Sequence, residues 1–352
     1  VAYYPIAVDK VRYAGEPVVL VVAEDRYVAE DAVELIEVDF DPLPAVVDPI
    51  AALSDDAPLL HEVAGDNLVH ERRFSYGEPD TAFNDAAQVV ELAWRYPRQS
   101  STPMETYGAI VNYELSPERY SVWSNFQGPF ILQPLMARAL GVSGNRLRLI
   151  SAPHSGGSFG IKQGLYPYLV LLAAASRIIG CPLKWTEDRL EHLAASSSAS
   201  DRADKISAAF DGDGNLTGLR YDNCVNVGAY VRAPEPASVY RMHSASNGCY
   251  RVRNISVRNR LVTTNKTPIG LNRGYGGPQF YFGLERVMDT AARRFGLDPA
   301  ELRQRNFIAT EAFPYAAPAG AIYDSGDYSK ALNLLLIISG YDDLKGRREE
   351  AR

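Results

Sequence analysis

Cysteine is scarce in this chain: 352 residues hold three, Cys181, Cys224 and Cys249. They stand far apart, so no C-x-x-C redox pair and no thiolate zinc set can be drawn. The expectation is three reduced, buried thiols in a cytoplasmic protein. Basic excess is also missing. With 36 Lys and Arg against 43 Asp and Glu the net charge is −7, which leaves no electrostatic footprint for nucleic acid or an anionic membrane surface. No stretch reaches the roughly 18 apolar residues of a membrane-crossing helix. The longest apolar runs, Leu169–Ala175 and Leu334–Ile338, read as buried helix faces. Two nucleotide-binding signatures are absent. Ile161, not a lysine, follows Gly160 where a P-loop would need its cation, and no G-x-G-x-x-G occurs. There is no internal repeat and no low-complexity tract. The opening Val-Ala-Tyr-Tyr carries neither an initiator Met nor a signal-peptide pattern, so the sequence reads as starting inside a longer polypeptide.

What is present points to an α+β protein. Pro17–Ala23 is a β-branched run that reads as a buried strand. Asp25 is placed to cap a helix through Leu35, and Ile36–Phe40 alternates as a second strand. This β-α-β unit occupies 1–52, and a Pro-, Ala- and Asp-rich linker follows over 53–70. Strands are expected at Ala87–Tyr96, Ala109–Glu114, Tyr120–Trp123 and Arg146–Ile150, with helices at Pro134–Leu140, Tyr166–Ile179 and Tyr281–Phe295. Asp211-Gly212-Asp213-Gly214-Asn215 resembles the start of a calcium loop. Leu216 stands where that loop needs glycine, so the segment reads as a hairpin turn. A charged helical tail closes the chain at Tyr341–Arg352.

Three loops carry the chemistry. Asn125-Phe126-Gln127-Gly128-Pro129-Phe130 presents an amide in a turn. Ser155-Gly156-Gly157-Ser158-Phe159-Gly160 lies between a strand and a helix, where backbone amides can face an anion or oxo group. Arg273-Gly274-Tyr275-Gly276-Gly277-Pro278-Gln279 sets an arginine ahead of three glycines and a helix. The second loop also spells G-x-S-x-G around Ser158, the pattern of a hydrolase nucleophile. Several residues separate Ser158 from the strand end, and only His192 or His243 could serve as its base. A serine hydrolase and a non-catalytic scaffold or assembly protein of the same fold therefore remain alternatives.

In this order the loops resemble the molybdenum hydroxylase family: xanthine dehydrogenase, aldehyde oxidase and the bacterial carbon monoxide, nicotine and caffeine dehydrogenases. That family's pattern is a glutamine loop, then G-G-x-F-G, then R-G-[FY]-G-G-P-Q. Pro103-Met104-Glu105-Thr106, Trp185-Thr186-Glu187-Asp188-Arg189 and Gly296-Leu297-Asp298-Pro299 match in kind. Tyr13–Val18 with Val22–Asp25 resembles the family's small α/β hammerhead domain. The resemblance implies the C-terminal part of a hammerhead domain over 1–52, then a mixed α/β molybdopterin-binding domain over 71–310. The start of a second cofactor-binding domain would fill 311–352.

The resemblance also assigns roles. Gln127 is similar to the glutamine that hydrogen-bonds an oxo ligand of molybdenum. Gly157, Ser158, Phe159 and Gly160 resemble the segment that contacts the cofactor. Arg273, with Gly274, resembles the cofactor-side arginine that steadies charge developing on a substrate ring. Gly274 stands where carbon monoxide dehydrogenases carry a copper-binding cysteine, which disfavours that chemistry. Gln163 replaces a purine-binding glutamate, so another N-heterocycle or an aldehyde fits better than xanthine. Ser158 takes the place of the family's third glycine. The implied cofactor is molybdenum–molybdopterin in its cytosine dinucleotide form, with electrons leaving through a 2Fe-2S small subunit and an FAD-binding medium subunit. The family's general base lies in a late G-x-G-E motif. Nothing after Asp327 offers it, so the expectation is a fragment lacking the second domain, with a subunit divided between polypeptides as the alternative.

Overall fold

The computed structural model describes residues 2–351. Val1 and Arg352, the outer bounds of the first and last assignments above, lie outside the described residues.

Two sheets organise the chain. The larger has five strands: β1 (Leu68–Tyr76), β2 (Gln88–Tyr96), β7 (Asp201–Phe210), β8 (Leu216–Gly228) and β9 (Asn254–Thr263), in the order β1-β9-β8-β7-β2. β8 and β9 run parallel, and the other pairings are antiparallel. Alternate residues of these strands, Ile206, Leu219, Tyr221, Ile255 and Val257 among them, face helix α7 (Gly277–Phe295). That helix returns Phe280, Leu284, Val287 and Met288 at helical spacing. The turn 211–215 is a hairpin as expected: Asp211 Oδ1 accepts the Asp213 and Asn215 amides.

The smaller sheet has the order β5-β4-β3-β6, from β3 (Gly108–Glu114), β4 (Arg119–Ser124), β5 (Leu147–Ser151) and β6 (Leu183–Thr186). β4 and β5 are parallel, joined by the crossover helix α3 (Pro129–Ala139). α4 (Tyr166–Ile179) follows β5 and, with Leu165 just before it, buries Leu169, Leu172 and Ala173 against Val111 and Val122. α3 starts five residues earlier than its sequence pattern suggests, because Pro129 takes the first turn and Pro134 is carried inside the helix.

The first 44 residues depart most from expectation. α1 (Arg26–Glu34) forms under its Asp25 cap, whose carboxylate accepts the Val28 amide at 3.0 Å. Residues 17–23 and 36–40 join no strand, and Val18, Val19, Val22, Ile36, Val38 and Phe40 stay exposed. A helix closes its hydrogen bonds internally, whereas a strand needs a neighbour. None pairs with these segments among the described residues. The run at Leu334–Ile338 is also corrected. It lies in a helix, but Leu334, Leu335, Ile337 and Ile338 are exposed because no described element covers that face. Of the three thiols only Cys224 is buried; Cys249 is half-buried and Cys181 exposed. No helix among the described residues is long and apolar enough to cross a membrane.

Candidate functional site

Parallel strands end at the same edge. β4 stops at Ser124 and β5 at Ser151, and the Ala152 amide donates to Ser124 O at 3.3 Å. The glutamine loop and the glycine-rich loop therefore leave the small sheet side by side, at the carboxyl end where open α/β sheets place ligands. The third loop, 268–276, leads from β9 into α7, so the site falls on the seam between the sheets.

The glutamine loop is fixed by its own polar side chain. Asn125 Oδ1 accepts the Gly108 amide at 3.2 Å, and its Nδ2 donates to Thr106 O at 2.8 Å. Phe126 is buried in the core of the small sheet, and Gln127 stands exposed at the tip. The Gln127 main-chain amide donates to Lys162 O at 3.4 Å.

Glu105, from the Pro103–Thr106 segment, organises the glycine-rich loop. Its Oε2 accepts the Gly156 amide at 3.0 Å and the Ser155 hydroxyl at 3.3 Å, and it pairs with the buried Lys162 ammonium. Burial opposes ionisation of Glu105, yet the Lys162 cation and the Gly156 amide hold its carboxyl below the usual range. Gly160 marks a close approach. Its φ is +112°, and a Cβ there would lie 2.8 Å from that of Leu271, on the loop leading to Arg273.

The third loop is anchored from below. The Tyr275 hydroxyl donates to Glu235 Oε1 at 3.0 Å, and Glu235 Oε2 accepts the Ser238 hydroxyl at 2.6 Å. Burial pushes the Glu235 carboxyl up, against the pull of those two donors. Arg202, also buried, donates to Ser238 O at 2.8 Å. Arg273 itself is exposed, its guanidinium 4.7 Å from the centre of the Phe159 ring. A small polar cleft of about 40 Å³, lined by Ser200, Asn272, Arg273, Tyr275 and Gln279, opens beside it.

The structure thus brings Gln127, Gly157–Gly160 and Arg273–Gly274 into one neighbourhood. Gln163 lies under the glutamine loop: its side chain is buried, with Nε2 3.8 Å from where a Gly128 Cβ would stand and Oε1 unpartnered. Gln279 Oε1 is likewise buried without a partner. The hydrolase arrangement does not form. His192 is bonded to Glu187 at 2.7 Å and His243 to Tyr76 at 2.7 Å, while the Ser158 hydroxyl donates to Gln127 Oε1 at 2.5 Å. No cluster of three metal-ligating side chains occurs among the described residues.

The sequence assigns no role to three residues of the site. Glu105 sits in a noted stretch but is 57 positions from its partner Lys162. Glu235 gives no pattern at all. Arg232 is fully buried, donating to Pro268 O at 2.6 Å and Gly164 O at 3.4 Å, and so ties the turn after the second loop to the start of the third.

Residues 60–307 match the family model described as molybdopterin cofactor-binding domain. Residues 2–44 match that of the aldehyde oxidase and xanthine dehydrogenase a/b hammerhead domain. The chain is 34% identical to the nicotine 6-hydroxylase large subunit of Paenarthrobacter nicotinovorans, over 99% of this chain and 42% of that one. It is 33% identical to the carbon monoxide dehydrogenase large chain of Hydrogenophaga pseudoflava, over 94% and 43%. The crystal structure of quinoline 2-oxidoreductase from Pseudomonas putida 86 superposes with a TM-score of 0.91 at 33% identity, covering 99% of this chain and 44% of that one. The chain therefore spans about two fifths of the length of the relatives it matches.

Proposed function

The chain belongs to the molybdopterin cofactor-binding domain family, and from that premise we propose that it is part of the large subunit of a molybdenum hydroxylase. The complete enzyme would oxidise a C–H carbon of an N-heterocycle or an aldehyde with oxygen taken from water. When bound, the molybdopterin group supplies the metal centre that takes the electrons.

The residues present fit such a group. Its pterin carries ring N–H donors as well as oxygen acceptors. Gln163 Oε1 and Gln279 Oε1 are buried acceptors without donors, a costly state unless a ligand completes them. On the donor side, no acceptor among the described residues takes the Gln127 Nε2 protons, and Arg273 has no carboxylate partner. Gln127 is the residue to hold an oxygen at the metal end. The backbone of Gly157–Gly160, Ser158 and Phe159 included, lines the approach with Gly274. Arg273 places a fixed cation where negative charge develops on a ring under attack, lowering the barrier. Gln163 offers a neutral amide, which hydrogen-bonds a heterocycle without supplying charge. Gly274 leaves no thiolate for copper, so carbon monoxide is disfavoured.

Two relatives are named as a large subunit and a large chain, which supports an assembly with an FAD-binding medium subunit and a 2Fe-2S small subunit. The cytosine dinucleotide form of the cofactor and a reducing, cytoplasmic setting complete the reading; the unpaired Cys181, Cys224 and Cys249 accord with the latter. The observation that carries the proposal is the convergence of Gln127, Gly157–Gly160 and Arg273 at one seam. Molybdenum and pterin content of the full-length protein purified from its host tests it. Stoichiometric metal and pterin are expected, and absence of both overturns the assignment.

A further inference from the structure

We infer that Ser158 is a positioning residue that sets which way the Gln127 amide faces. A hydroxyl has one proton and two lone pairs. At Ser158 the lone pairs are taken by the main-chain amides of Gly160 and Lys162, each at 3.3 Å. The proton must therefore go to an acceptor, and it goes to Gln127 Oε1 at 2.5 Å. An amide whose oxygen is claimed in this way presents its NH2 group outward, into the site. The main chain repeats the constraint, since the Gln127 amide donates to Lys162 O at 3.4 Å. Side chain and backbone of Gln127 are thus both hung on the turn 158–162, which the ion pair of buried Lys162 with half-exposed Glu105 holds in place.

Glycine, expected at position 158 from the family's loop, has no hydroxyl and could not orient the amide. Without that hydroxyl Gln127 can rotate its amide by half a turn. Its oxygen would then face any oxo or oxyanionic group in the site, turning a donor into a repulsive acceptor. The inference rests on reading Gln127 as the donor to the cofactor, and it concerns how that donor is aimed.

The test uses the full-length enzyme with its partner subunits and the variants Ser158→Ala, Ser158→Gly, Ser158→Thr and Gln127→Ala. Ser158→Ala and Ser158→Gly are expected to keep molybdenum and pterin at the wild-type level. Their kcat should fall by roughly 10- to 100-fold, the scale set by misplacing a group at a reacting centre, with a smaller change in KM. The electron paramagnetic resonance signal of the half-reduced metal should alter, and Ser158→Thr should restore both. Combining Ser158→Ala with Gln127→Ala should cost nothing beyond Gln127→Ala alone, because both remove one function. A readout independent of activity is neutron diffraction from deuterated crystals of the wild type and Ser158→Ala, in which the Gln127 amide deuterons should face the site in the wild type and lose that single orientation in the variant. Wild-type kcat and signal in Ser158→Ala, losses that multiply in the double variant, or a Gln127 amide oriented alike with and without the hydroxyl would overturn the inference. A wild-type protein without molybdenum would instead overturn the functional assignment, and the orientation of the Gln127 amide would still decide the role of Ser158.

Discussion

Lys162 places a fully buried ammonium against the Glu105 carboxylate, whose side chain keeps 39% of its exposure. The two partners are unequal. Removing the carboxylate strands a cation with no other acceptor nearby, whereas removing the cation leaves a carboxylate that water can reach. Glu105→Ala should therefore lower stability by about 1–3 kcal/mol, the cost of leaving a buried donor unsatisfied. Lys162→Met should cost less, since an apolar side chain of similar length fills the same space. Urea unfolding of the two variants checks the order, and a larger loss in Lys162→Met would contradict it.

Gly160 and Gly128 flank the same site and both have positive φ, but their surroundings differ. A Cβ at Gly160 would fall within 2.9 Å of Leu271 backbone atoms, while at Gly128 the nearest atom lies 3.8 Å away. Gly128→Ala should therefore cost only the backbone strain, about 1 kcal/mol. Gly160→Ala must also push the second and third loops apart, so it should lose cofactor as well as stability. Metal content of the purified variants separates the two effects.

The legibility of this site in the sequence follows the range of the interactions. α4 was readable residue for residue because helix period, Gly180 stop and apolar face are all local. The three loops were readable because each is a contiguous run with a compositional signature. The strands expected at 17–23 and 36–40 failed for the converse reason: β-branched composition states a preference that only a neighbouring strand can realise. The clamps under the loops are pairings between distant segments, Tyr275 with Glu235 and Arg232 with the Gly164 and Pro268 carbonyls. Nothing local distinguishes such a glutamate or arginine from a surface one. Ser158 lay in plain sight, but its identity suggested only a replaced glycine or a nucleophile. Its three hydrogen bonds, not its sequence context, reveal what it does.

Asp204 supplies a pH dependence with a definite sign. It is buried, Oδ1 accepts the Cys224 amide at 2.9 Å, and Oδ2 has no partner. Burial pushes its carboxyl up to about 7, against the nearby Arg202 guanidinium. The folded chain thus holds this proton more tightly than the unfolded chain does. Its contribution to stability is complete below the ordinary carboxylate range and is lost as pH rises through about 7. Asp204→Asn carries no such proton. The stability of the wild type relative to Asp204→Asn should therefore fall between pH 5 and pH 8, measured by thermal or urea unfolding. A difference that stays level, or grows, with pH would show that Asp204 is ionised throughout.

Arg273 separates charge from shape. Its guanidinium lies over the Phe159 ring at 4.7 Å and has no carboxylate partner among the described residues, so the stack is what orients it. Arg273→Met removes the cation and should lower kcat/KM of the full-length enzyme for ring substrates by about 2–4 kcal/mol of transition-state stabilisation. Arg273→Lys keeps the charge but loses the planar contact, and should recover part of that loss. Phe159→Leu leaves the cation in place but unstacked, so its effect should resemble that of Arg273→Lys and fall short of Arg273→Met. Steady-state kinetics on a ring substrate and on a simple aldehyde extend the comparison. A ring delocalises the charge that Arg273 faces and an aldehyde does not, so the penalty should be larger for the ring. Equal penalties for both substrates, or none for either, would mean that Arg273 holds the loop and takes no part in charge stabilisation.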